Sequence, residues 1–564
     1  MILLTAQKRV NILNFVRKLP ILILTAVAFA QAPIQITTRL VQVVVIARDK
    51  HGPIGDLTKG DFEILDKGKP RQIATFNIAR ASDRMQRTAL PPNTFSNRLD
   101  RGDAPVTATV VLFDRLNTSF KDQFTARQQV LSWLKSIDPE SPTAIYSLGN
   151  QLRILHDFTE DRSRLANALA QSTSENSHLL DNSSVDLTPP ILQAPNTTTQ
   201  PSNGDISTGT SSWLAQILEP LQTYSYDRRV AITFAAMQAI ANHMAALPGR
   251  KNLIWVSGAF PLTLAFGKGG FAGGGERTVT YLGQLKGATA AIDRANVAVY
   301  PVDARGLVTS AALQAATPQR PSQQVVARSS HIPTAEDLVE TREIETMQVM
   351  AEWTGGRAFY NTNDIQGALK QASEDAEVTY TLGFYADEKE LDGSYHELKV
   401  KIARKGADVR YRKGYFATPV MAGDSQPAAE VLRNALFSPA DATAMGLTAS
   451  LTPDAAHSGS FILALGMDLQ NLSLAAKNDR WNDVLNFIVA QEGVTGAILD
   501  ATQNAITINV TDENRERLLK DGLTIRVAIT PAPGLSQIRV AVMDQATGNI
   551  GSLRIALPVR PILK

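Results

Sequence analysis

The stretch Thr107–Phe120, TATVVLFDRLNTSF, decides the fold. Ala108, Val110, Val111, Leu112 and Phe113 make a nearly continuous apolar run, the mark of a strand buried on both faces, and such strands belong to parallel sheets covered by helices. The run stops on Asp114, and Asn117, Thr118 and Ser119 follow as helix-start residues. A helix is predicted over Asp122–Ile137, with Phe124, Val130, Leu131, Leu134 and Ile137 on one apolar face. An acid at the carboxyl end of such a strand stands where open α/β sheets bind ligands.

Working outward, further strands are predicted at Ala144–Leu148, Asn252–Val256 and Val297–Asp303, alternating with helices at Arg229–Leu247, Val279–Ala295 and Asp337–Trp353. That alternation predicts a doubly wound α/β sheet across residues 106–377. Within it, 171–212 is dominated by Ser, Asn, Thr, Pro and Gln and reads as a mobile insertion. Upstream, the β-branched run Ile34–Ala47 and the meander Asp61–Phe76 are too short to enclose a core alone. They are expected to pair with strands at 379–385, 395–403 and 409–415. One β-sandwich would then form from 34–82 and 378–417, with the α/β domain inserted in it. The competing topology leaves the later strands to finish the α/β sheet and form a separate hairpin. Residues 80–105 read as a linker. From 428 to 564, seven short alternating strands predict an antiparallel sandwich of immunoglobulin or fibronectin type. The chain is thus expected to be an α/β and all-β multidomain protein.

At 564 residues the chain exceeds one hydrophobic core. Lys8, Arg9, Arg17 and Lys18 precede the apolar run Leu19–Ala30, and small residues follow, so 1–32 is expected to be a secretory signal peptide. The alternative is an uncleaved membrane anchor, the single route to a membrane in this reading. Without those four cations the chain carries 52 basic and 54 acidic residues, a balance that does not point to nucleic acid. There is no cysteine, which removes disulfides, thiolate metal sites and cysteine nucleophiles.

A buried strand ending in Asp, then hydroxyl residues, then a helix resembles the von Willebrand factor A domain, whose metal-ion-dependent adhesion site has the pattern Asp-x-Ser-x-Ser. The matching positions are Asp114, Leu116 and Thr118. Three further segments look like the acidobacterial VWFA-related family: Leu247–Gly258 (LPGRKNLIWVSG), Asn296–Gly306 (NVAVYPVDARG) and Thr354–Tyr360 (TGGRAFY). The opening segment around Leu57–Lys69 and the stretch Arg410–Phe416 are similar to it as well, so the resemblance spans roughly residues 34–417. It implies a Rossmann-like sheet flanked by immunoglobulin-like β-sandwiches, and protein recognition in the periplasm or outside the cell, as in cell adhesion. The departures are Leu116, which has no ligand atom, and Ser257, where the family usually has an acid.

The metal reading takes Asp114, Thr118, Ser119 and Asp227 as oxygen ligands of Mg²⁺, with Asn117 and Ser257 meeting the partner. Its rival makes Asp114 a helix cap or an acceptor of loop N–H groups. Other chemistry lacks its residues. The seven histidines form no HxxxH pair, and neither GxSxG nor a GK[ST] phosphate loop occurs. Gly267–Ala272 has the form GxGxxA but lies too far from its strand to cradle a nucleotide. The expectation is an exported, non-enzymatic protein that recognises a protein partner through the loops Asp114–Ser119, Tyr224–Arg229 and Ser257–Phe260, without a small-molecule cofactor. The alternative is a scaffold assembling through its sandwiches.

Overall fold

In the computed structural model, the described residues run from 39 to 557. Residues 1–38, 181–206, 267–276, 308–334, 418–427 and 558–564, with several shorter stretches, lie outside them. So do the expected signal peptide, most of the 171–212 insertion, the glycine-rich loop and residues 259–260 of one expected binding loop. Among the described residues no helix is long and apolar enough to cross a membrane.

The amino-terminal strands are β1 (Arg39–Asp49), β2 (Phe62–Asp66), β3 (Thr75–Arg80) and β4 (Thr94–Ser96). The α/β part opens with β5 (Ala108–Asp114), α1 (Phe120–Ser136), β6 (Thr143–Leu148), β7 (Leu152–Thr159) and α2 (Arg162–Gln171). It continues with α3 (Ser207–Met244), β8 (Lys251–Ser257), α4 (Leu282–Arg294), β9 (Val297–Asp303), α5 (Ala335–Thr354) and α6 (Ile365–Glu374). Then come β10 (Val378–Ala386), β11 (Tyr395–Ile402), β12 (Asp408–Arg410), β13 (Gly414–Phe416) and α7 (Ala428–Phe437). The carboxyl-terminal strands are β14 (Leu447–Pro453), β15 (Phe461–Met467), β16 (Arg480–Gly493) and β17 (Ile498–Val510). After α8 (Asp512–Asp521) follow β18 (Leu523–Ile529), β19 (Leu535–Asp544) and β20 (Ile550–Ala556).

The central sheet has the order β7-β6-β5-β8-β9, parallel except for β7 at its edge. Every residue of β5 is buried. Val110 and Leu112 face a core shared with α3, α4 and α5, whereas Val111 and Phe113 face one shared with α1, α2 and α6. Helices therefore cover both faces. The α1 stripe differs from the predicted one: Gln123, Ala126, Val130, Trp133 and Leu134 point inward, and Phe124 is 56% exposed. Near the far edge, Gly355 adopts φ +77, and a side chain on Gly356 would collide with the Val299 carbonyl of β9. The glycines at 355 and 356 thus let this turn lie against the sheet.

Two antiparallel sheets combine the amino-terminal strands with those that follow α6. β1 pairs with β10, from Arg39↔Ala386 to Val45↔Tyr380, and then with β12, while β3 pairs with β10's other edge. β2 pairs with β11, and β11 with β13. Val43, Val45, Ile64, Tyr380, Leu382 and Val400 close one core between these sheets. In the carboxyl-terminal part, β4-β14-β15-β18 faces a sheet of β16, β17, β19 and β20. Two corrections arise. Residues 80–105 are not merely a linker, because β4 within them pairs Phe95 with Ala449. The carboxyl-terminal part also contains helices: α7 packs Leu432 and Leu436 on Ala490 and Met543, and α8 runs from Thr511 to a positive-φ Gly522.

Candidate functional site

The strand order reverses between β5 and β8, so the carboxyl ends of these two strands form the switch point at which α/β sheets place their sites. Asp114 and Ser257 are the last residues of the two strands. Asp114 is 1% exposed. Its Oδ1 accepts the Asn117 backbone N–H at 3.0 Å. Its Oδ2 accepts Asn117 Nδ2 at 2.8 Å, Ser257 Oγ at 2.8 Å and Trp255 Nε1 at 2.9 Å. Burial pushes its pKa up, and these hydrogen bonds pull it part of the way back.

A second layer holds Asn117. Its Nδ2 also donates to Thr233 Oγ1 at 2.8 Å, and its Oδ1 accepts Arg229 Nε at 3.0 Å. Arg229 is itself buried, which lowers its pKa, yet a guanidinium remains cationic at neutral pH. The carboxylates of Asp114 and Glu343 act on it favourably. Glu343 is bound in turn by Arg305 Nη1 at 2.5 Å, and Arg305 clasps Asp303 Oδ2 through Nη2 at 2.8 Å. The floor of the site thus holds the buried Asp114, Asn117 and Arg229, with the partly buried pair Arg305–Glu343 beside Asp303.

The expected ligands are dispersed. Thr118 Oγ1 accepts the Gly258 N–H at 2.9 Å, and Gly258 has no room for a side chain because Asn117 O lies where its Cβ would be. Ser119 starts α1, donating to Asp122 Oδ2 at 2.7 Å and accepting Asp122 N–H at 3.3 Å. Asp227 is exposed and accepts Tyr281 Oη at 2.6 Å. It lies two residues from Arg229 on α3, a spacing that turns the two side chains to different faces. Asn117 and Ser257, expected to meet a partner, are buried and serve Asp114 instead.

This donor set does not fit a hard cation. Three donors crowd Oδ2 and a fourth binds Oδ1 of a carboxylate that is 1% exposed, so Mg²⁺ would have to enter a closed site near a buried guanidinium and displace donors from Oδ2 to use that oxygen. Among the described residues no group of three or more His, Asp or Glu could hold a metal. Two side chains that hold the site carry no local sequence signal for that role: the Trp255 N–H reaches Asp114 only because β8 lies beside β5, and Arg229, within the expected stretch Tyr224–Arg229, reaches Asn117 only because α3 packs against the strand ends.

No family model and no curated protein matches the chain significantly. Among solved structures it is similar to an aerotolerance-related membrane protein from Bacteroides fragilis NCTC 9343, at 12% identity over 47% of this chain and 98% of that one, TM-score 0.23. BatB, a conserved hypothetical protein from Bacteroides thetaiotaomicron, gives 15% identity over 48% and 98%, TM-score 0.20. An endonuclease/exonuclease/phosphatase from Beutenbergia cavernae DSM 12333 gives 14% over 33% and 39%, TM-score 0.12. Likenesses of this size carry no argument about activity, and the reading below rests on the residues.

Proposed function

We propose that the chain is an exported, non-enzymatic recognition protein of the von Willebrand A-related kind, which binds a protein partner with the rim of the carboxyl-end loops and needs no divalent cation to do so. The observation that carries this is the sealed Asp114: four donors fix it, and through Asn117 it ties both strand ends to α3. A position that in the resembled family holds a metal here serves as a rigid anchor. Around it the exposed residues Ser119 and Phe120, together with Tyr224, Asp227 and Arg228, form the accessible rim; the expected loop Tyr224–Arg229 is in fact a stretch of helix α3, so that side of the rim is a helix face. Export rests on the pattern of residues 1–32.

The test is capture of exported proteins on the immobilised mature chain, with EDTA or with Mg²⁺. The same partner should be held in both buffers and lost from a Tyr224→Ala/Arg228→Glu variant. Capture that requires Mg²⁺, or that ignores the variant, would overturn the reading.

One observation favours the scaffold alternative. β17 pairs with β16 along one side only among the described strands, and most of its residues are exposed. A free edge of this length can add a strand from a neighbour. A concentration-dependent mass, unchanged by EDTA and abolished by a Thr507→Pro change on that edge, would establish it.

A further inference from the structure

Helix α1 opens on two phenylalanines one turn apart, Phe120 and Phe124, each 56% exposed. Tyr224 and Leu307, 64% and 56% exposed, lie at the same end of the sheet, before Arg229 on α3 and just after β9. Burying a phenylalanine is favourable relative to leaving it in water, so the two neighbouring exposed rings form an apolar surface that a partner can cover.

Beside the two rings runs a groove of about 590 Å³, with Phe120, Lys121, Phe124 and Arg127 on one wall and Ala170 and Ser172–Ser174 on the other. Arginines hold the second wall in place. Arg127 Nη1 donates to Ser172 O at 2.5 Å, and Arg115 Nη1 to Thr173 O at 2.8 Å. Arg127 also lies over the Phe124 ring, 5.9 Å from its centre. The described lining contains two cations and no carboxylate. Asp122, next along α1, is turned to Ser119.

We propose that this groove docks a segment of a partner protein that carries bulky apolar residues flanked by Asp or Glu. The apolar anchors would cover Phe120 and Phe124, and the acids would meet Lys121 and Arg127, a pairing that sets specificity and register more than raw affinity. The inference rests on the protein-recognition reading above and gives that partner a chemistry.

The experiment is selection of random dodecapeptides displayed on phage against the full mature chain, followed by fluorescence anisotropy of the enriched peptides. Enriched peptides should combine aromatic or leucine residues with Asp and Glu. They should bind a Phe120→Ser/Phe124→Ser variant roughly tenfold or more weakly, as expected for loss of aromatic anchors. Lys121→Glu should weaken the same peptides. All three positions are exposed, so unchanged melting temperatures would show that the variants fold. Peptides without acidic excess, peptides indifferent to the Phe variant, or no enrichment at all would overturn the proposal. Peptides that ignore the Phe variant but are lost with Tyr224→Ala/Arg228→Glu would overturn the groove and leave the loop-rim reading standing; peptides indifferent to both would overturn both. A dimer dissolved by the Phe variant would show a second copy as the occupant and overturn the acidic partner.

Discussion

Asp114, expected as an accessible metal ligand, is instead buried and held by its neighbours. Its place at the end of an apolar run marked it, but the number of donors around it depends on what the neighbouring strand and helix bring. Trp255→Phe removes one donor to a buried carboxylate and leaves a void where the larger indole stood, so it should cost at least about 1.5–3 kcal/mol in urea unfolding. Added Mg²⁺ should leave the wild-type midpoint where EDTA leaves it; a rise would mean the four donors yield to a cation. A second buried acid makes a pH prediction. Asp483 faces Asp544 in the carboxyl-terminal sheet with Oδ2 unpaired, and burial first, then the Asp544 charge, pushes its pKa up to about 7. A raised folded pKa favours folding fully below the unfolded value of 3.8, and the benefit is lost as pH rises through about 7. Asp483→Asn should therefore match the wild type at low pH and exceed it in stability at pH 8. Lys251, buried and pushed down to about 7, acts in the opposite sense above that pH, so the variant is compared with its parent at each pH.

At the scale of elements, the carboxyl end of α3 is joined to the segment before β14. Thr443 N–H donates to Asn242 O at 2.9 Å, and Ala246 N–H donates to Thr443 Oγ1 at 2.9 Å. His243 bridges this joint: Nδ1 lies 2.7 Å from Asp441 O and Nε2 3.4 Å from Asp157 Oδ1. The neutral ring can donate from one nitrogen alone, whereas the imidazolium serves both. Burial alone would lower the His243 pKa, but the Asp157 hydrogen bond and charge, with Asp441, raise it above 6.5. The stabilisation is thus complete below pH 6.5 and fades as pH climbs through the raised value. His243→Gln should lose about 1–3 kcal/mol at pH 6, with the deficit shrinking at higher pH. A deficit constant across the range would show that the ring acts by packing, since it also stacks on Phe158. Helix α1 offers the lesson about periodicity. Phe124 and Leu131 fit a helical stripe as well as Ala126 and Trp133 do, and a helix rotated by one position buries a different set. Helix α8 was missed because its neighbours alternate as strands, although the acids at Asp512 and Glu513 and the closing Gly522 are start and stop signals.

At the scale of the whole molecule, the carboxyl-terminal part is not separable at residue 428. β4 supplies an edge strand to β14, Asn97 Nδ2 donates to Ala442 O at 2.6 Å and Met445 O at 2.9 Å, and Arg98 pairs with Asp468. A fragment spanning 428–564 should melt lower than the same fragment supplied with a peptide covering 90–98, and the peptide should lose this effect with Asn97→Ala. Equal melting temperatures would show that β4 adds nothing. By itself, the sequence determined the α/β alternation, the doubly covered strand at 108–114 and the seven carboxyl-terminal strands, because each is a local pattern: apolar periodicity and turn chemistry report which face of an element leaves water. The tertiary structure alone decided the register of β1 on β10, the capture of 94–96 by a sheet far along the chain, the outward turn of Phe124 and the sealing of Asp114. Those outcomes depend on backbone hydrogen bonds and donor atoms from remote elements, Trp255 and Ser257 on β8 and Arg229 on α3, and no local pattern encodes which remote element will arrive beside an acid.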